Sequence, residues 1–170
     1  NHDLDKLKNL EIPYVMSTIS PKLGIEREKF SSISVDDYKE VYKMTEKIIN
    51  FGHKNIAAIG YRKDDESISN LRLLGFLDAI KNSNIKNISS KIEFAGEFDF
   101  LAGYNATKKI LYSEKPTCIF CISDILAIGA MRAIFDLNYK IPDDISVVGF
   151  DGIEQGRYSI PSLATIKQPK

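Results

Sequence analysis

The segment Ile141-Pro142-Asp143-Asp144-Ile145-Ser146-Val147-Val148-Gly149-Phe150-Asp151 constrains the fold more than any other stretch of the chain. It reads as a turn, then a continuous apolar strand, then a carboxylate where the strand stops. Ile145–Phe150 lacks polar/apolar alternation, so both of its faces must be covered, as in a central parallel strand. Pro142 has no N–H to give a ladder and belongs just outside the strand. Gly149-Phe150 is expected to let the backbone leave the sheet and deliver Asp151 to its carboxyl edge, where open α/β sheets bind ligands. A turn-capping role for Asp151 fits the same residues.

Upstream, the same grammar repeats. Ile12–Met16 and Phe30–Val35 read as short strands, with a loop carrying Pro21 and Gly24 between them. Asp36 or Asp37 can cap a helix whose apolar positions Tyr38, Val41, Tyr42, Ile48 and Ile49 fall at helical spacing, and Gly52 ends it in a left-handed conformation. His53 is expected to hold the last helical carbonyls or fill a gap. Strand Asn55–Ile59, a helix through Leu71, Leu74, Phe76, Leu77 and Ile80, and strand Ile92–Ala95 follow. Helix Leu101–Tyr112, strand Cys118–Ile122 and helix Ile125–Leu137 lead into the strand already described, and Leu163–Ile166 forms a last extended run. Gly129, Ala130 and Ala133 suit close helix packing. Four strand–helix alternations predict an α/β fold, a doubly wound parallel sheet built from βαβ units.

In such a sheet all strand–helix junctions open on one edge. That edge would gather Ser67, Ser69 and Arg72 after one strand, Phe98 after the next, Ser123 and Asp124 after the third, and Asp151 after the fourth. Arg offers a rigid fork of donors, Asp accepts from hydroxyls, and a ring covers an apolar face. The set suits a sugar or a similarly polar small ring. Structural roles compete at each position: Arg72 can pair with Asp151 or Asp124, Phe98 can be core, and Asp124 can cap the helix that starts at Ile125.

Composition narrows the function classes. The 170 residues carry 23 Lys+Arg against 23 Asp+Glu, so no basic field is present to attract nucleic acid. A 44% hydrophobic content supplies a core, and no basic-apolar leader or membrane-length apolar run occurs, so a soluble chain is expected. Cys118 and Cys121 form a C-x-x-C, but residues three apart on a strand face opposite ways and cannot share a metal. Buried thiols in a reducing compartment are expected, with no metal and no cofactor. With two histidines, no G-x-S-x-G elbow and no phosphate-cradling glycine loop, no catalytic constellation forms, and an enzyme is not expected.

Ile12-Pro13-Tyr14-Val15, Val35-Asp36-Asp37, Gly52-His53-Lys54-Asn55-Ile56, Arg72-Leu73-Leu74-Gly75-Phe76, Gly103-Tyr104 and Pro116-Thr117 through Cys121 match known pieces in order. So do Ser123-Asp124-Ile125-Leu126-Ala127-Ile128-Gly129-Ala130, the Ile141–Asp151 segment and Pro161–Pro169. On these residues the chain resembles the effector-binding core of the LacI/GalR family of bacterial transcription regulators. The resemblance implies a type I periplasmic-binding-protein-like pair of α/β subdomains clamped over an effector. It also implies residues 1–36 as a remnant of the N-terminal subdomain, 37–161 as the C-terminal effector-binding subdomain, and 162–170 as a hinge strand returning to the first. Ligand positions carry over to Arg72, Phe98, Ser123 or Asp124, and Asp151. A small-molecule effector, a sugar first among candidates, is the implied ligand, and operator DNA would be bound only through a helix-turn-helix domain absent from this chain. A cytoplasmic homodimer is expected, with Ile125–Leu137 and the region near Tyr158–Pro161 as its interface and no membrane partner. Ser123 stands where many relatives carry Asn, and Ala164 where Thr is usual. A periplasmic sugar-binding protein of a transport system shares the fold and is the alternative. Arg72→Ala or Asp151→Ala is expected to abolish the effector response and spare the fold.

Overall fold

The computed structural model describes residues 15–17, 31–65 and 67–169. Contacts divide the chain into two compact units, Asn1–Val35 and Asp36–Lys170. In the first, strands β1 (Val15–Ser17) and β2 (Ser31–Ile33) pair in parallel, Val15 opposite Ser31 and Ser17 opposite Ile33. The expected strands at Ile12–Met16 and Phe30–Val35 are described only over these residues. Ser34–Asp36 has left the ladder, and the Pro21–Gly24 loop lies outside the described residues.

The second unit runs α1 (Asp37–Asn50), β3 (Asn55–Gly60), α2 (Ile68–Asn82), β4 (Ser89–Phe94), α3 (Phe100–Ser113), β5 (Cys118–Cys121), α4 (Asp124–Asp136), β6 (Ser146–Asp151), α5 (Glu154–Tyr158) and β7 (Ala164–Lys167). The five strands form one parallel sheet in the order β4-β3-β5-β6-β7. The doubly wound α/β class read from the sequence is the one observed. Interior strands carry the apolar runs: Ile56–Ile59, Cys118–Cys121, Val147 and Phe150 are buried. Phe76 of α2 stacks on Phe120 of β5 with centroids 5.7 Å apart, both fully buried. Emptying such a site by Phe120→Ala would cost about 3–5 kcal/mol.

Each long helix has a local reason to begin. Asp36 accepts from Lys39 N at 3.1 Å, Asp99 from Ala102 N at 2.7 Å, and Ser67 and Ser123 cap α2 and α4. Gly52, at φ +96°, closes α1 as expected. α1 packs against α2 and α3 against α4. The second pair approaches to backbone contact, since a Cβ on Gly103 would meet the Leu126 carbonyl and one on Gly129 the Phe100 carbonyl.

Several details differ from the sequence reading. The backbone does not leave the sheet at Gly149-Phe150: β6 continues through Asp151, which pairs with Lys167, and the departure comes at Gly152, at φ +71°. Gly149 is small for another reason, because a Cβ there would strike Asp124 Oδ1. β4 begins at Ser89 although Ser89–Lys91 are polar, because an edge strand needs only its backbone to pair. His53 meets the last helical carbonyls through its backbone and not its ring: its N–H donates to the Ile48 carbonyl at 3.4 Å, while Nδ1 lies 2.9 Å from Thr117 Oγ1 and burial lowers its pKa.

The winding sets where a site can form. From β3 the chain crosses to β4 on one side, and from β5 it proceeds to β6 and β7 on the other. The reversal therefore lies between β3 and β5, and the crevice beyond their carboxyl ends is the switch point where such folds bind ligands.

Candidate functional site

Arg72 occupies this switch point. Ser67 starts α2 at the carboxyl end of β3, and Arg72 follows in its opening turns, buried. Its Nε donates to Asp37 Oδ1 at 2.6 Å and its Nη1 to the Ile122 carbonyl at 2.7 Å. Nη1 also stands 3.2 Å from Asp151 Oδ1, and the guanidinium carbon lies 3.7 Å from the centre of the Phe150 ring. One side chain thereby joins the start of α1 to the ends of β5 and β6. Of the two partners weighed from the sequence, Asp151 is used and Asp124 is not.

Asp37 was not legible as a site residue. Either Asp36 or Asp37 fits a cap by sequence; Asp36 caps, while Asp37 turns inward and is 2% exposed. A signal did exist: Asp37 lies in register with the buried Val41, Thr45 and Ile48 at helical spacing, which places it on the core face of α1. A carboxylate on a core face demands a cation.

Asp151 is half-buried and holds φ at +121°, a conformation rarely adopted by residues other than glycine. Gln168 Nε2 donates to its Oδ1 at 2.7 Å. Burial pushes its carboxyl above the usual carboxylate range; Arg72 and the Gln168 hydrogen bond pull the other way, and the Asp124 charge adds to the rise. Burial wins. The carboxylate is therefore held at a cost, at a strained backbone position, at the carboxyl end of β6.

Asp124 behaves differently. The helix is capped by Ser123, so the expectation that Asp124 caps it is corrected. Asp124 is fully buried, with Oδ2 accepting from Ile153 N at 2.8 Å and Oδ1 from Thr165 Oγ1 at 2.6 Å. It braces the turn after β6 against β7. Ser123 is also buried, with its hydroxyl turned onto the Leu126 N–H.

Ser67 and Ser69 form a knot with Asp65. Ser67 N donates to Asp65 Oδ1 at 2.8 Å, the two hydroxyls lie 2.7 Å apart, and Ser69 Oγ donates to Asp65 Oδ2. Burial would raise the Asp65 carboxyl, but the Ser67 and Ser69 hydrogen bonds and nearby Arg62 outweigh it and hold the pKa low. Phe98 is not core: it is 45% exposed and stacks on Tyr61 with centroids 4.5 Å apart. Arg62 stacks on that Tyr61 ring at 4.6 Å and is itself tied to Glu97 at 2.8 Å.

A groove of about 640 Å³ lies elsewhere, between α1 and strands β6 and β7, lined by Met44, Ile48, Val148 and Ile166 among others. It is mostly apolar and contains neither Arg72 nor Asp151, so it is not the chemistry described above. Among the described residues, no group of three or more His, Cys, Asp or Glu could hold a metal ion.

The periplasmic binding protein-like domain profile matches residues 45–170. The chain belongs to this family, in its LacI-type branch. The HTH-type transcriptional regulator MalR of Clostridium butyricum is 33% identical over 98% of this chain and 49% of its own length. The HTH-type transcriptional repressor PurR of Pectobacterium atrosepticum is 36% identical over 86% of this chain and 43% of its own. A LacI family transcriptional regulator from Enterococcus faecium, solved with bound ribose, superposes with a TM-score of 0.80 at 26% identity, covering 99% of this chain and 59% of that one. This LacI-type chain thus spans about half the length of the curated relatives it matches. Those relatives are transcriptional regulators, and no described helix of the chain is long and apolar enough to cross a membrane.

Proposed function

We propose that the second unit is the effector-binding lobe of a LacI-type transcriptional regulator and that its ligand is a small polar ring, a sugar first. The observation that carries this reading is the Arg72–Asp151 pair at the sheet's switch point. A fixed guanidinium beside a half-buried carboxylate offers donors and an acceptor to adjacent hydroxyls, and the exposed Phe98 ring, backed by Tyr61, offers a flat apolar face. Arg72, Asp151 and Phe98 are assigned to the effector. Ser67, Ser69, Ser123 and Asp124, whose polar groups are turned onto protein partners, are assigned to holding that rim in shape. The ribose bound by the Enterococcus faecium regulator supports a sugar-class ligand.

In this reading residues 37–161 form the effector-binding subdomain, residues 1–36 belong to its companion, and 162–170 return toward it. An effector touching both favours one arrangement by its differential affinity, and that bias reaches operator DNA through a helix-turn-helix of the kind the relatives' names carry. The relatives being regulators favours this over a transport role. The protein acts in the cytoplasm as a homodimer, joined through α4 and the Tyr158–Pro161 turn, where Phe135, Tyr158 and Ile160 are exposed apolar residues.

The test is ligand-dependent release of operator DNA by the whole regulator, measured for wild type and Asp151→Ala. Loss of the response in a variant that melts like wild type supports the assignment. An unchanged response removes Asp151 from the site.

A further inference from the structure

Resting on the effector-site reading above, we propose that Tyr61 and Arg62 are positioning residues for Phe98, presetting that ring and acting on the effector only through it. The three side chains form one stack. The Phe98 and Tyr61 centroids lie 4.5 Å apart at an interplanar angle of 26°, and the Arg62 guanidinium carbon lies 4.6 Å from the Tyr61 centroid. A phenyl ring and a guanidinium that close cannot share one face of Tyr61, so they cover opposite faces. Tyr61 has no face left for a ligand, and the open end of the stack is the exposed Phe98.

Phe98 needs such support. Gly96, at φ +85°, turns the chain out of β4, and Asp99 caps α3 by accepting from Ala102 N at 2.7 Å, so only Glu97 and Phe98 lie between turn and cap. A phenyl group has no polar atom with which to fix itself, and an exposed ring on a short loop changes rotamer unless something packs on it. Ordering such a side chain at the moment of binding weakens the complex, whereas a ring already ordered in the free protein carries no such cost.

The far end of the stack is anchored to the sheet. Beyond the last ladder pair, Gly60 with Phe94, the two backbones stay zipped: Ala95 N donates to the Gly60 carbonyl and Gly96 N to the Tyr61 carbonyl, both at 2.9 Å. Arg62 extends this zip, its Nε donating to the Gly96 carbonyl at 3.0 Å and its Nη2 to Glu97 Oε1 at 2.8 Å. One planar group thus ties down the two residues before Phe98 while lying on the ring that backs it. A lysine, a point charge on a flexible stem, cannot do both. As an ion pair, the half-exposed Arg62 with the more exposed Glu97 adds little to stability. Its effect is on where the ring stands.

The experiment compares wild-type intact regulator with Arg62→Ala, Arg62→Lys and Tyr61→Leu, each alone and in a Phe98→Leu background. Calorimetry at neutral pH with ribose, glucose and galactose reads binding, and fluorine NMR of fluorophenylalanine-labelled protein reads the ring. The resonance that Phe98→Leu removes identifies Phe98, and it should shift in Arg62→Ala and in Tyr61→Leu while Arg62→Ala melts as wild type does. A Phe98 resonance unmoved by either substitution overturns the positioning, whether or not a sugar binds. For a sugar that binds, Tyr61→Leu should weaken binding about three- to tenfold and either Arg62 variant about two- to fivefold, with no further loss in the Phe98→Leu background. Losses that persist undiminished in that background bypass Phe98 and overturn the positioning. Because Arg62 is half-exposed, its variants carry the test even if Tyr61→Leu melts early. Phe98→Leu binding every sugar as wild type does overturns instead the effector role of Phe98, and a wild type that binds none of the three overturns the sugar reading, the fluorine signal still deciding the stack.

Discussion

Arg72 Nε meets Asp37 Oδ1 at 2.6 Å, and both side chains are more than nine-tenths buried. This ion pair holds the first turn of α1 to the first turns of α2, so Arg72 is a structural residue. Removing one member of a buried pair strands the other's charge. Arg72→Ala should destabilise the fold by about 3–5 kcal/mol in urea unfolding, and Asp37→Asn in that background should recover part of the loss. The sequence-based expectation that Arg72→Ala spares the fold is corrected by this contact. Equal stability of wild type and Arg72→Ala would refute the pair's importance.

Burial makes the charge of Asp151 costly at neutral pH. Its folded pKa is raised, so between the ordinary carboxylate value and that raised value the native state holds more protons than the unfolded chain. Stability from this group is fully present below the unfolded pKa and is lost as pH rises through the folded one. Asp151→Asn cannot ionise and accepts the same Gln168 hydrogen bond. It should match wild type in acid and melt higher at neutral pH, while losing the effector response. Melting curves across that window check the sign; a neutral-pH melting point below wild type contradicts it.

The Asp124 brace should be costly to break. Thr165→Val leaves Asp124 Oδ1 buried without its hydroxyl donor and should cost about 1.5–3 kcal/mol by denaturant titration, the range for hydrogen bonds to charged groups. Gly149→Ala should be worse than its exposed-strand equivalent, because the added methyl group strikes the same oxygen. A Thr165→Val protein as stable as wild type would mean that the brace rests on the Ile153 N–H alone.

The two cysteines should be chemically silent. Both are buried and free, with burial pushing the Cys118 thiol up to about 12 and the Cys121 thiol well above its ordinary value. At about pH 8 neither should react with a disulfide-exchange reagent until the protein unfolds. Rapid labelling of the native chain would show that β5 opens.

The parts of the fold carried by local pattern were readable. Interior strands announced themselves through unalternated apolar runs, and Asp36 and Gly52 marked the ends of α1 by their own chemistry. The convergence of Arg72 and Asp151 followed from topology alone, since parallel strands end on one edge. What escaped were side-chain partnerships across the chain: Arg72 with Asp37, Asp124 with Thr165, Asp151 with Gln168. Each joins elements far apart in sequence, and neither periodicity nor propensity encodes which acid meets which donor. The start of the edge strand β4 escaped for a related reason, because backbone pairing leaves no apolar signature in Ser89–Lys91.

The boundary between the compact units falls at Val35, and Asp37 is already gripped by Arg72 with only Asp36 intervening. The first firm purchase the chain finds beyond that boundary is thus the same guanidinium that faces Asp151. Asp37, the first residue of α1, is therefore fixed to α2 from the outset of the second unit.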